Sequence, residues 1–159
     1  MPKSQVATDF FRETGELIIE TQALPRPTLE ELQEKFNWIK RIERDTSPTE
    51  AMRLQLATVL HKNEKWIDGA EYERRLAPKL NLALGYQQAV WLVEHQDEFP
   101  DFMAMLGKVY IDFPGLIVVS SDGYRNYPYL IQLGGRWDLR WDWIDDVFRS
   151  SARIAVSGK

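Results

Sequence analysis

Apolar positions recur at helical spacing through the first two thirds of the chain, and strict alternation replaces that spacing in the last third. Residues 5 to 22 place Val6, Ala7, Phe10, Phe11, Thr14, Leu17 and Ile18 on one side of a helix, opposite Arg12, Glu13, Glu16 and Glu20. Leu24-Pro-Arg-Pro27 breaks that helix, because proline lacks the donor a helix needs and pushes its predecessor out of the helical region. Thr28-Leu-Glu-Glu31 and Ser47-Pro-Thr-Glu50 both read as capping boxes, in which a hydroxyl and a carboxylate satisfy orphan amides at a helix start. They predict a second helix over about 28–44, burying Leu29, Leu32, Phe36, Ile39 and Ile42, and a third over about 48–62, burying Met52, Leu56, Val59 and Leu60. Trp38 falls off the main stripe of the former and Leu54 opposite that of the latter, as if each helix touched a second surface.

Asp68 to Leu76 reads as a short helix ended by Pro78. Residues 79–97 form a longer one, apolar nearly all the way round between Leu80 and Val93, the pattern of a helix buried on several sides. A last short helix over 99–106 closes at Gly107. Then come Leu116 to Ser121 as a strand, a turn at 122–126, Tyr127 to Leu133 as a second strand, a tight Gly134-Gly135 turn, and Trp137 to Trp143 as a third strand. Residues 151–156 add a fourth strand or form a tail. The expected fold is α+β in a single domain over 1–159. About five N-terminal helices (about 5–107) pack on one face of a small C-terminal antiparallel meander (about 109–156).

Composition narrows the chemistry. At 159 residues and 44% hydrophobic, the chain has enough apolar material for one core. The absence of cysteine removes disulfides, thiolate nucleophiles and zinc-thiolate or iron-sulfur sites together, and makes a reducing, cytoplasmic home the expectation. No stretch resembles a signal peptide or approaches the roughly 18 apolar residues of a membrane span. Residues 1–107 carry 13 Lys/Arg against 18 Asp/Glu, a balance of -5, and residues 108–159 carry 7 against 6, a balance of +1. Neither part has the basic stripe that duplex DNA requires.

The third strand concentrates three of the six tryptophans on alternate residues. Trp137, Leu139, Trp141 and Trp143 share one face, and Asp138, Arg140 and Asp142 share the other. Burying one tryptophan is worth about 4 to 6 kcal/mol as an upper bound, which favours a core role for the aromatic face. The functional alternative exposes one or two of these rings with Tyr124, Tyr127 and Tyr129, beside Arg125, Arg136 and Arg140, the residue types that anchor protein interfaces. The same mixture suits single-stranded nucleic acid, but Asp138, Asp142, Asp145 and Asp146 would repel phosphate.

Those four aspartates are also the nearest thing to a metal site, and Arg140 among them fits an ion-pair ladder better. His61 is expected at a helix C-terminus and His95 beside Glu94, without metal or catalytic spacing. On the 79–97 helix, Gln87, Trp91 and Glu94 share a stripe. Either Gln87 bonds to nearby backbone and Glu94 lies near the solvated end of the helix, or the three line a small-molecule pocket between helix and sheet. The leading expectation is a cofactor-free, metal-free binding protein without a catalytic site, acting on a protein partner or by self-association, as in a homodimer. It would use Tyr124, Arg125, Tyr127, Tyr129, Arg136, Trp137, Arg140, Trp141 and Trp143. A small-molecule binder or non-metal enzyme at Gln87, Trp91 and Glu94 is the second reading, and single-stranded nucleic-acid binding the third.

Overall fold

A computed structural model describes residues 12–158. The first seven residues of the expected N-terminal helix, 5–11, lie outside them. The described residues are 40% strand and 27% helix, with a mixed eight-stranded sheet and four short helices, which overturns the expectation of an N-terminal helical layer on a small meander. The elements are β1 (Arg12–Glu20), α1 (Leu29–Lys35), β2 (Ile39–Asp45), β3 (Arg53–Thr58), β4 (Trp66–Ile67), α2 (Gly69–Leu76), α3 (Tyr86–His95), α4 (Pro100–Ala104), β5 (Tyr110–Asp112), β6 (Leu116–Ser120), β7 (Arg125–Leu133), β8 (Arg136–Trp143), β9 (Phe148–Arg149) and β10 (Ala152–Gly158).

Over the described residues, two of the expected helices and the second half of the 28–44 helix are strands, each for an identifiable reason. In β1 the buried residues are Leu17 and Ile19 while Ile18 is exposed, a period of two. Gly15, with φ +72°, sits in the irregular register between Glu13 and Ile18. In β2 the pairing with β6 slips between Ile39 and Arg41 and again between Ile42 and Arg44. Each slip adds a residue to one strand, so apolar side chains three apart return to the same side and imitate a helical stripe. Strand β3 lies between β1 and β10 and is buried on both faces, so Leu54 and Leu56 enter one cluster and Ala57 the other. The second capping signature starts no helix: Ser47 is fully buried in a loop, with its hydroxyl and amide on the Asp45 carboxylate. The first is as written, with Thr28 and Glu31 exchanging side-chain and backbone bonds.

The long sheet runs β1-β3-β10-β5-β7-β6-β2, with β8 on the far edge of β7; β10 and β5 are parallel and the other pairs antiparallel. Strand β7 is its hub. Along one edge it pairs β6 at Arg125 and Asn126 and β5 at Tyr129 and Leu130, while β8 covers the other edge from Asn126 to Leu133. Pro128 stands at the changeover. Its carbonyl accepts from the Phe113 amide at 2.9 Å, and its missing N–H faces the same edge, where β7 passes from one neighbouring strand to the next. The expected hairpin is present, and both turn glycines have positive φ, 62° and 80°.

Both faces of the sheet are covered. On one, Ala89, Trp91 and Leu92 of α3 and Phe102 of α4 meet Leu54, Leu56, Leu130 and Trp137, while Leu32 of α1 packs beside Ile39 and Val118. On the other, Tyr72 and Leu76 of α2 meet Ala57, Ile117, Tyr127 and Ile154. The helices therefore do not share one face, because the central strands are apolar on both sides and each side needs a cover. No helix among the described residues is long and apolar enough to cross a membrane.

Candidate functional site

The aromatic run on β8 descends from core to surface. Trp137 is 2% exposed: its ring stacks on Phe102 at 4.7 Å, its indole donates to the Phe102 carbonyl at 3.0 Å, and its backbone N–H donates to Gln96 Oε1 at 2.8 Å. Trp141, half-buried, meets Phe36, Trp38 and Tyr86 at ring separations of 5.3, 5.5 and 6.0 Å. Trp143, at the strand end, is 52% exposed and stacks on Tyr124, itself 50% exposed, at 4.7 Å and 10°.

The remaining expected contact residues are engaged elsewhere. Tyr127 is buried against Tyr72, and Tyr129 is edge-on to Tyr110, both away from the tryptophan face. Arg125 is gripped two-pronged by Glu43 and by Glu73. Arg136 pairs with Asp97 and Arg140 with Asp138. The expected aromatic-arginine surface is thus not one surface: its arginines are neutralised by carboxylates, and Tyr127 and Trp137 are core.

What the fold does bring together is an aromatic cleft of ≈ 320 Å³ where β2, the β6–β7 turn and the end of β8 converge. Four rings line it, Trp38, Tyr124, Trp141 and Trp143, together with Ser120, Ser121, Asp122 and Asn126. The turn is held by its own polar groups: Ser120 Oγ accepts from the Tyr124 amide, Asn126 Nδ2 donates to the Tyr124 carbonyl, and the Gly123 amide reaches the Ser120 carbonyl. Gly123, at φ +86°, supplies the left-handed residue this turn needs. Trp38 enters because the Ser121 amide donates to its carbonyl, binding β2 to the end of β6. Its off-stripe position was the one signal for it in the sequence; Ser120, Ser121, Asp122 and Asn126 gave none.

A second cleft, ≈ 280 Å³, lies on the outer side of α3. Gln87, Trp91 and Glu94 line it, as their shared stripe implies, but the opposite wall is the Leu24–Pro27 segment, not the sheet. Gly85 lets the start of α3 approach Ser47: a Cβ there would lie 2.7 Å from the Ser47 Cβ. Gln87 Nε2 accordingly donates to Ser47 Oγ at 2.9 Å and to the Pro48 carbonyl. Gln87 Oε1 and Trp91 Nε1, on residues only 8% and 7% exposed, have no partner among the described residues. Glu94 is exposed, and His95 stacks on Trp91 at 4.8 Å with Nδ1 at 2.8 Å from the Trp91 carbonyl. His61 follows β3 and ends no helix, and no group of three His, Asp or Glu among the described residues is placed to hold a metal ion.

One buried acid stands apart from both clefts. Asp112, on β5, is fully buried; its Oδ2 accepts from the Tyr72 hydroxyl at 3.1 Å and its Oδ1 has no partner. Burial pushes its carboxyl up to about 8, against the opposing pull of the Tyr127 and Tyr72 hydroxyls.

The fold and its clefts define a protein built on a mixed, largely antiparallel sheet, with an exposed aromatic cleft. No family model, curated protein or solved structure matches this chain.

Proposed function

We propose that this is a non-catalytic binding protein whose contact site is the aromatic cleft at Trp38, Tyr124, Trp141 and Trp143, and that its partner is a polypeptide. The observation that carries the reading is the stacked Tyr124–Trp143 pair, two large rings left half in water at the cleft mouth beside two better-buried tryptophans. Tyrosine and tryptophan are the residues that most often concentrate interface energy. A cytoplasmic location, expected from the lack of cysteine, belongs to the same proposal. Single-stranded nucleic acid gains no support, since Arg125, Arg136 and Arg140 are all held by carboxylates.

The test compares proteins captured from cells by the parent chain, by a Tyr124→Ser/Trp143→Ser double variant, and by Leu133→Ser, which alters an exposed residue at the other end of the hairpin. A defined set of partners retained by the parent and Leu133→Ser but lost, by at least about tenfold, from the double variant is expected. Identical capture by all three would remove the cleft from consideration.

A second reading is favoured by the two orphaned polar atoms in the wall of the α3 cleft, Gln87 Oε1 and Trp91 Nε1, which a bound small molecule carrying both a donor and an acceptor would satisfy. It predicts that one metabolite in a thermal-shift screen stabilises the parent, by about 2.7 kcal/mol at a hundredfold excess over its Kd. Gln87→Leu should remain folded and lose that shift; an undiminished shift in the variant rules the α3 cleft out as its source.

A further inference from the structure

We infer that the aromatic cleft recognises an alkylated ammonium group, the N-methylated side chain of a lysine on the partner polypeptide; the inference rests on the reading of this cleft as the contact site. Three features of the wall point to that chemistry. First, it is built from ring faces and edges: Trp38 and Trp141 stand edge-on at 5.5 Å and 86°, and Tyr124 and Trp143 lie nearly parallel at 4.7 Å. A ring face is a region of negative potential, strongest for tryptophan, and attracts a cation that has shed its water. Methylation removes N–H donors and spreads the charge over carbon, so a methylated ammonium gives up less hydration on entering such a cleft than a primary one.

Second, the charge around the cleft is complementary to a cation. Its one ionisable lining residue besides Tyr124 is Asp122, exposed and in no ion pair among the described residues, and no lysine or arginine lines it. The nearest arginine along β7, Arg125, is held between Glu43 and Glu73. An anionic or zwitterionic occupant would meet Asp122 without a compensating cation.

Third, the cleft is open. With Tyr124 and Trp143 half exposed at its mouth, it covers one side of a compact group and leaves the other in water. Free small molecules are usually held in sites that enclose most of their surface. A side chain arriving on a stem needs less, because neighbouring residues of its chain contribute contacts around the rim.

The test titrates the intact protein with a short glycine-serine peptide carrying trimethyllysine, following the indole N–H signals of Trp38, Trp141 and Trp143 by NMR. The same peptide with unmodified lysine, the same peptide with the neutral tert-butyl isostere of trimethyllysine, and free choline serve as comparison arms. Trimethyllysine peptide should shift these three indoles and bind at least about tenfold more tightly than the isostere or choline. Asp122→Asn should weaken it several-fold, and Trp143→Ala should abolish it with the circular dichroism spectrum unchanged. Equal binding of the charged and neutral peptides would overturn the cation assignment while leaving a polypeptide-binding cleft, and choline binding as tightly as the peptide would overturn the tethered source. Failure of every arm overturns the inference alone where the capture experiment still separates parent from double variant, and the reading with it where it does not.

Discussion

Replacing Trp137 with alanine is expected to lower the free energy of unfolding by about 3–5 kcal/mol, while Trp143→Ala, six residues along the same face of the same strand, costs no more than about 2 kcal/mol. The difference follows from where the strand leaves the core. Trp137 is buried on all sides, stacks on Phe102 at an interplanar angle of 2°, and ties β8 to α4 through its indole and to Gln96 through its amide. Truncation opens a cavity between the sheet and α3–α4, whose walls cannot close without moving a helix. Trp143 loses only its contact with Tyr124 and the rim of the cleft. Against a total stability on the order of 5–15 kcal/mol, the first change removes about a fifth or more. Urea unfolding followed by circular dichroism measures both, and acrylamide quenching adds an independent sign: loss of Trp143 should remove a readily quenched component of the fluorescence. Equal destabilisation by the two substitutions would contradict the core-to-surface gradient along β8.

That gradient also explains what could be read from the residues alone. Alternation from Tyr127 to Trp143 identified the hairpin because its turn is two glycines and its strands have regular register, the condition under which period two survives in sequence. Leu17, Ile39, Ile42 and Leu56 misled because bulges and two-sided burial replace that period with spacings of three or with continuous apolar runs. No local pattern reveals that β3 and β10, a hundred residues apart in the chain, are neighbours. Of the helix expected over 79–97, apolar content marked the part that forms α3, while Ala77–Leu82 is a 3-10 turn and Ala83 and Gly85 are extended; the wall opposite α3 in its cleft, Leu24 to Pro27, announced itself only as a helix breaker. For the aromatic cleft, Tyr124, Trp141 and Trp143 were visible as ring-bearing residues. Their division from Trp137 and Tyr127 was not, because strand alternation says which face a side chain takes and not how far the neighbouring layer extends over that face.

Stability should fall as pH rises from about 4 to about 8, chiefly through Asp112, and Asp112→Asn should remove that residue's share of the slope. The carboxyl ordinarily titrates at 3.8 and is pushed up to about 8 by complete burial on β5. Between those values the folded protein retains a proton that the unfolded chain has released, so raising the pH favours unfolding, by up to about 1.4 kcal/mol per unit. The penalty is complete above pH 8, where the folded state holds a carboxylate with one oxygen on Tyr72 and the other unpartnered. The paired carboxylates act in the opposite sense and in a different window. Glu71, lowered to about 2 by its hydrogen bond to Arg74 foremost, contributes stability that is present above pH 4.5 and lost as the pH falls toward 2. Asp142, raised by burial and packed near the same tyrosines, adds a slope of the same sign as Asp112, which is why the variant must be compared with the parent at each pH. The expected result is a difference in unfolding free energy that changes by several kcal/mol in favour of Asp112→Asn between pH 5 and pH 9, in the range below tyrosine ionisation. If instead parent and variant keep a constant difference across that range, Asp112 is ionised in the folded protein throughout, and the buried tyrosines must be solvating a full charge.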